Sequence, residues 1–500
     1  MGDEVISTTY TREQRQRYRE KVRQCLDVFE RMLAEASFEF ERPLTGLEIE
    51  LNLVNDEFSP AMVNAAVLER IADPAFQTEL GQFNIELNVH PRPLPGDSAL
   101  DLEESLRRSL NVAESRAAEA GAHIIMIGIL PTLMPEHFHT EWMSANPRYA
   151  LLNEAVFAAR GEDLLLDIAS PTGPERVSAY ADTIAPESAC TSVQLHLQVS
   201  PHQFPRAWNA AQALTGPQLA LGANSPFLFG RHLWAETRTE LFLQATDTRS
   251  VELKNQGVRP RVFFGERWIT SIFDLFEENV RYFPALLPEV SDEDPVAVLD
   301  AGKAPRLREL RLHNGTIYRW NRPVYDIVEG RPHLRVENRV LPAGPTVVDV
   351  LANSAFYYGA MRVLMDEDRP VWTKMSFATA HSNFTECARR GLNSTVYWPG
   401  FGELPAEELV LRHLLPVAHE GLERWGVSQQ VRDRYLGIIE DRCKSGRNGA
   451  EWQTATVRAL EARGADRLTA LREMLRLYAD GMHSNEPVHT WEVPSRRAPA

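Results

Sequence analysis

Thr45-Gly46-Leu47-Glu48-Ile49-Glu50-Leu51-Asn52-Leu53-Val54 alternates strictly. Leu47, Ile49, Leu51 and Leu53 fall on one side of an extended chain, and Glu48, Glu50 and Asn52 on the other. This pattern predicts a β-strand with one apolar and one polar face. Side chains two residues apart on a strand point the same way, about 6–7 Å apart. Glu48 and Glu50 therefore present two carboxylates to one surface. Without a counter-charge, each disfavours ionisation of the other. A hard cation such as Mg²⁺ or Mn²⁺, which prefers oxygen ligands, removes that cost. A lone Glu-Xaa-Glu is better read as a strand with a solvated outer face, so the rest of the chain has to decide.

Three further stretches repeat the pattern. In Phe76–His90, FQTELGQFNIELNVH, the residues Phe83, Ile85, Leu87 and Val89 alternate with Asn84, Glu86, Asn88 and His90. Glu79 has the opposite parity to Glu86 in a regular strand, and a glycine bulge at Gly81 would bring both to one side. Val193–Val199, VQLHLQV, places Gln194, His196 and Gln198 on its polar face. His333–Leu341, HLRVENRVL, sets Arg335, Glu337 and Arg339 against Leu334, Val336 and Val340. A glutamate between arginines is often a salt-bridged ladder and nothing more. If these strands are antiparallel neighbours, Glu48, Glu50, Glu86, His196 and Glu337, with Glu79, line one concave surface, and the apolar backs pack under helices. So many carboxylates on one surface call for cations, and two or three Mg²⁺ or Mn²⁺ ions are expected.

Arginines supply the opposite charge. Arg339, Arg319 and Arg238 are placed to bind phosphate oxygens, since guanidinium binds them bidentately. Arg231, Arg238 and Arg249 occur within twenty residues of one another, among aromatics. Each is as readily an ordinary surface arginine as a clamp for carboxylate or phosphate. The loop Lys444-Ser445-Gly446-Arg447-Asn448-Gly449 is glycine-rich and basic, a further candidate for phosphate contact, but the chain has no Gly-Xaa-Xaa-Xaa-Xaa-Gly-Lys-Ser/Thr loop. Clustered metal ligands, arginines and no such loop point to phosphoryl transfer from a nucleotide held against a sheet.

The chain has 500 residues and a formal net charge of −16, which argues against nucleic acid or an anionic membrane as the main partner. Its longest apolar run, Ile124–Leu130, is too short to cross a bilayer, and its N-terminus shows no apolar leader segment. Cys25, Cys190, Cys387 and Cys443 lack Cys-Xaa-Xaa-Cys spacing and fit reduced thiols in a cytoplasm. His137 and His139 lie in a proline-rich segment without a third ligand nearby and read as surface histidines. Residues 11–36 predict an amphipathic helix, with Thr11 and Gln14 at capping-box spacing. His313-Asn314-Gly315-Thr316 predicts a hairpin turn. Val347–Met365 predicts an apolar helix, and helices are expected over 403–425, 428–443, 449–462 and 465–482. The expected organisation is a sheet-and-helix core over 1–400, a helical region over 401–490 packed on it, and a disordered tail over 491–500.

With these stretches in place the chain resembles the glutamate–cysteine ligase family of ATP-dependent carboxylate–amine ligases, related in fold to glutamine synthetase. The matching segments are TGLEIELNLV (45–54), FQTELGQFNIELNVHP (76–91), VQLHLQVSP (193–201), LHNGTIYRWNRPVYD (312–326), LRVENRVLP (334–342) and GRNGAEWQ (446–453). The resemblance implies an α+β fold: a curved, mostly antiparallel sheet forming a funnel or half-barrel, backed by helices. It implies Glu48, Glu50 and Glu86 as a first set of metal ligands, with Glu79, His196 and Glu337 serving further ions. It implies Arg339 on the nucleotide phosphates; Arg319 and Lys444, read from the residues above, are expected as further ATP contacts. Arg238, Arg231 and Arg322 fall on the acid substrate, and Arg339 and Glu337 act in catalysis. The implied reaction is attack of a carboxylate, such as the γ-carboxylate of L-glutamate, on ATP, followed by capture of the acyl phosphate by an amine such as L-cysteine. A peptide or carrier-bound substrate is compatible with this pattern. So are a phosphotransferase of the guanidino-kinase kind and a non-catalytic nucleotide- and metal-binding relative.

Overall fold

The computed structural model describes residues 10–35, 38 and 43–494. The alternating stretch forms β1 (Leu44–Val54), which lies inside a seven-stranded sheet with β2 (Phe76–Thr78), β3 (Asn84–Pro93), β4 (His123–Ile125), β5 (Val193–Gln198), β6 (Asn321–Val328) and β7 (Arg331–Asn338). The spatial order is β6-β7-β5-β1-β3-β2. Strand β5 pairs with the first half of β1, and β4 takes over the same edge at Asn52–Val54. Every pairing in this sheet is antiparallel, and the sheet curls into a half-barrel backed by helices.

The back of the sheet carries Leu47, Ile49, Leu51 and Leu53 from β1, Ile85 and Leu87 from β3, Val193, Leu195 and Leu197 from β5, and Leu334 and Val336 from β7, all buried. Helices Phe204–Gly222 and Val347–Leu364 pack beneath them. Each such side chain contributes roughly 1.5–3 kcal/mol on burial. A slip of one residue would bury Glu48 and Glu50 in this apolar layer, so the alternation itself holds the register. Helix Arg12–Ala34 begins at the expected capping box: Gln14 N–H donates to Thr11 Oγ1 at 3.2 Å, and Thr11 N–H to Gln14 Oε1 at 2.8 Å.

Several local expectations are corrected. Asn314-Gly315 ends a helix, Arg308–Asn314, instead of turning a hairpin. Gly315 keeps a negative φ of −66°, and the Asn314 side chain is taken up by Pro323 O and Asn279. The hairpin lies further on, between β6 and β7, where Glu329 and Gly330 take the positive φ values of 51° and 78° that a two-residue turn requires. The stretch Phe76–His90 is two strands and a loop, not one bulged strand. Of the apolar run that ends at Leu130, only its start belongs to a strand, His123–Ile125. A hairpin, Thr395–Trp398 with Gly402–Pro405, precedes the C-terminal helices. Trp491 is buried against Trp452 and Tyr478, so the expected tail does not start there; residues 495–500 lie outside the described part. Among the described residues, no helix is long and apolar enough to cross a membrane.

Candidate active site

The polar faces of the strands meet in register. Glu50 on β1 stands opposite Glu86 on β3, and Glu48 stands between Asn88 on β3 and Gln194 on β5. His196 on β5 stands opposite Gly46 on β1 and Glu337 on β7, and Glu337 in turn faces Arg322 on β6. Gly46 makes room for the imidazole: a Cβ there would lie 3.3 Å from His196 Cβ.

Glu79 reaches this surface by chain reversal. Gln77 on β2 pairs with Glu86, and Glu79 follows it into the loop that returns as β3. Strand parity does not apply within a loop, which is why no bulge is needed. Gly81 is required there because a Cβ would lie 2.6 Å from Asn84 Oδ1 and 2.9 Å from Ser188 Cβ. Among the described residues, Glu50, Glu79 and Glu86 form a group whose oxygens lie within 4.8 Å of one another.

These side chains line a cavity with about 870 Å³ of empty space, together with Glu48, Glu187, Cys190, Gln194, Arg238, Arg322 and Arg339. Its electrostatics are uneven. Burial pushes the Glu79 carboxyl well above the usual range, reinforced by the charges of Glu86 and Glu50. Burial and the charges of Glu48 and Glu50 push Glu86 up to about 7. Glu50 is raised by burial against the pull of Arg339, and accepts hydrogen bonds from Ser192 N–H (2.6 Å) and Gln194 Nε2 (2.9 Å). Burial also opposes ionisation of Glu48, but His196, with Nε2 3.1 Å from Glu48 Oε1, brings it down to about 2. Glu337 overcomes burial through Arg322 and Arg339, each 2.7 Å away, and lies well below the usual range. Arg335 Nε donates to His196 Nδ1 at 3.1 Å.

The candidate cations separate into two groups. Arg339, Arg322 and Arg238 line the cavity. Arg238 is also bound to Glu236 (2.8 Å) and donates to the Val340 carbonyl, so it holds the chain that carries Arg339. Arg319, Arg231 and Lys444 are not among the lining residues. Arg319 is buried against Glu278 (3.0 Å) and over the Phe263 ring. Arg231 is exposed on a short strand, and Lys444 pairs with Glu440 on a helix surface. The loop after Lys444 serves packing: Arg447 donates to the Trp491 carbonyl, and Asn448 caps the helix Gly449–Glu461. Arg249 is paired with Asp247. Sequence pattern missed Glu187, Cys190 and Ser192, which come from the turn and extended chain just before β5 and carry no periodicity.

An antiparallel half-barrel with carboxylates and guanidinium groups gathered on its concave face is an architecture of carboxylate–amine ligases. The chain belongs to Glutamate-cysteine ligase family 2 (GCS2), whose profile matches residues 44–471. That membership makes it an ATP-dependent ligase by class. No curated protein matches it. A crystal structure of glutamate–cysteine ligase from Francisella tularensis in complex with AMP is similar over 92% of this chain and 91% of that one, at 13% identity and a TM-score of 0.53. A bifunctional glutathione synthetase from Pasteurella multocida is similar over 92% of this chain, at 13% identity and the same TM-score of 0.53; this chain spans 55% of its length. At such identities the likeness is one of fold.

Proposed function

We propose that this protein joins the γ-carboxylate of L-glutamate, or a closely similar acid, to an amine such as L-cysteine, using ATP and passing through an acyl phosphate. The observation that carries this reading is a single cavity lined by the Glu50–Glu79–Glu86 group and by Arg339, Arg322 and Arg238.

The donor set fits divalent cations. Three carboxylates lie within 4.8 Å of one another, with burial and mutual repulsion raising Glu79 and Glu86. Asn84 Oδ1 is buried beside them without a hydrogen-bond partner. All-oxygen ligands suit Mg²⁺ or Mn²⁺. Glu50, Glu79 and Glu86 would hold one ion, and Glu48, His196 and Glu337 offer donors for others. Bound there, such ions neutralise charge on the nucleotide phosphates.

Arg339 and Arg322, held on either side of Glu337, offer guanidinium groups, Arg339 to phosphate oxygens and Arg322 to the carboxylate of the acid substrate. Glu337 pairs with both guanidinium groups and holds them in place. Arg238 keeps Arg339 in place through the Val340 carbonyl. The acid attacks the γ-phosphorus, ADP leaves, and the amine displaces phosphate from the acyl carbon. The protein contributes positioning and preorganised charge rather than a nucleophile of its own. Four cysteines, none in a disulfide, suit a reducing cytoplasm as the setting.

The test is ATP consumption with Mg²⁺ and L-glutamate, with and without a panel of amines led by L-cysteine, products being read by mass spectrometry. ADP release that requires both substrates, with an amide mass, is expected. ADP with a phosphorylated amine or guanidine and no free phosphate would instead establish a phosphotransferase. No turnover with any acid would refute catalysis on free amino acids.

A further inference from the structure

Amide formation, the step proposed above and the one on which this inference rests, needs a proton acceptor. An α-amino group is largely protonated at pH 7 and cannot attack a carbonyl until it loses a proton. The carboxylates of the sheet are committed elsewhere. Glu50 accepts from Ser192 and Gln194, Glu86 from Asn88, and Glu337 from two arginines, while Glu48 faces His196. Glu50, Glu79 and Glu86 are moreover the set that fits a cation.

Glu187 is different in origin. It comes from the turn Ala185–Ala189, off the sheet, yet lines the same cavity as Glu50, Arg238 and Arg339. It is not part of the group of carboxylates gathered within 4.8 Å. Its turn is firmly held. Ile184 N–H donates to Asn153 Oδ1 at 2.9 Å, Glu187 N–H to the Ile184 carbonyl at 2.9 Å, and Ser188 Oγ to the Ala185 carbonyl at 2.6 Å. Ala185, Pro186, Ser188 and Ala189 are buried, and Ser188 packs against Gly81 in the loop that carries Glu79. The backbone that presents Glu187 to the cavity is thus held in place.

We propose that Glu187 is the catalytic base that deprotonates the acceptor amine. Its carboxylate takes one proton from the ammonium group. The freed nitrogen lone pair forms the bond to the acyl carbon, the bond from that carbon to the phosphate oxygen breaks, and the leaving phosphate carries away the second nitrogen proton. Burial pushes the Glu187 carboxyl up to about 7, opposed by Arg339 and Arg148 and reinforced by Glu50. A buried carboxylate is a stronger base than an exposed one, which suits it to take a proton from an ammonium group.

The experiment compares two nucleophiles on the full-length protein with ATP, Mg²⁺ and L-glutamate. One is the amine the wild type uses, and the other is hydroxylamine, which is largely uncharged at neutral pH and needs no base. Glu187→Gln is expected to lose on the order of 10²–10⁴-fold in kcat with the amine. It should form the hydroxamate within a few-fold of the wild-type rate, which also shows that the variant folds. Glu187→Asp should recover part of the amine-dependent rate. Equal loss with both nucleophiles, or a raised KM for glutamate at unchanged kcat, overturns the assignment and makes Glu187 a binding or packing residue. A wild-type protein that makes neither amide nor hydroxamate overturns the ligase function itself, and this inference with it.

Discussion

Glu86→Gln is expected to make the cation-free protein more stable while abolishing turnover. A glutamate in an unfolded chain ionises near pH 4.3. In the folded protein, Glu86 keeps its proton up to about pH 7, because it is buried beside the charges of Glu48 and Glu50. Between those values the folded state binds more protons than the unfolded one, so wild-type stability falls as pH rises through that window. Above it the full cost stands. A rise from 4.5 to about 7, at about 1.36 kcal/mol per unit, makes that cost on the order of 3 kcal/mol. An unfolding entropy of about 2.1 cal/mol/K per residue, over 500 residues, converts this to roughly 3 °C. Glutamine removes the charge, and its amide oxygen still accepts from Asn88 Nδ2, now 2.6 Å from Glu86 Oε1. Thermal melting in EDTA at pH 8 should therefore place Glu86→Gln about 3 °C above wild type, with the gap closing below about pH 4.5. Adding Mg²⁺ should raise the wild type and leave the variant nearly unchanged. A variant that melts below wild type at pH 8 in EDTA, or a wild type indifferent to Mg²⁺, would refute the reasoning that these carboxylates repel one another until a cation joins them.

Arg339→Lys keeps the charge but loses the planar fork beside Glu337; ATP turnover should fall on the order of 10²-fold with little change in melting temperature, measured by coupled ADP release. Glu103 accepts from Arg434, Tyr435 and Asn485, and its carboxyl lies below the usual range despite burial. The stability this contributes is present above the unfolded value and lost as pH falls through the folded one. Glu103→Gln should thus cost about 1–3 kcal/mol at pH 7 in denaturant titrations, and the difference should shrink below about pH 4. Trp491→Ala removes a buried ring that meets Trp452 and Tyr478 edge-on, with centroids 5.0 and 5.3 Å away. It should cost about 3–5 kcal/mol in the same assay, and an unchanged stability would show that the C-terminal segment is not docked there in solution.

Much of the site was legible because a strand's side chains alternate with period two. Glu48, Glu50, Glu86, His196 and Glu337 could be assigned to polar faces from local pattern alone, and all of them meet on one surface. Arg339, one residue past the end of β7, follows from the same alternation. Outside strands no such periodicity exists. Glu79 lies in a loop and Glu187 in a turn, where strand parity carries no information. Arg319 is taken up by Glu278 and the Phe263 ring and does not line the cavity. Asn314-Gly315 had the composition of a hairpin turn, yet packing of the helix before it kept Gly315 at negative φ.

The amino-acid sequence by itself determined which face of each strand is apolar, and so that the chain builds a one-sided sheet with carboxylates in front and helices behind. That is a local property, decided by the hydrophobic effect acting on a period-two chain. Only the tertiary structure decided which strands are neighbours and in what register. Glu50 stands opposite Glu86 and His196 opposite Glu337 because pairings between distant segments are set by packing across the whole sheet, which no local pattern encodes. It also decided which arginines enter the cavity. A guanidinium reads the same in a sequence whether its counter-charge is a buried glutamate or a phosphate, and only the fold shows which of the two it faces.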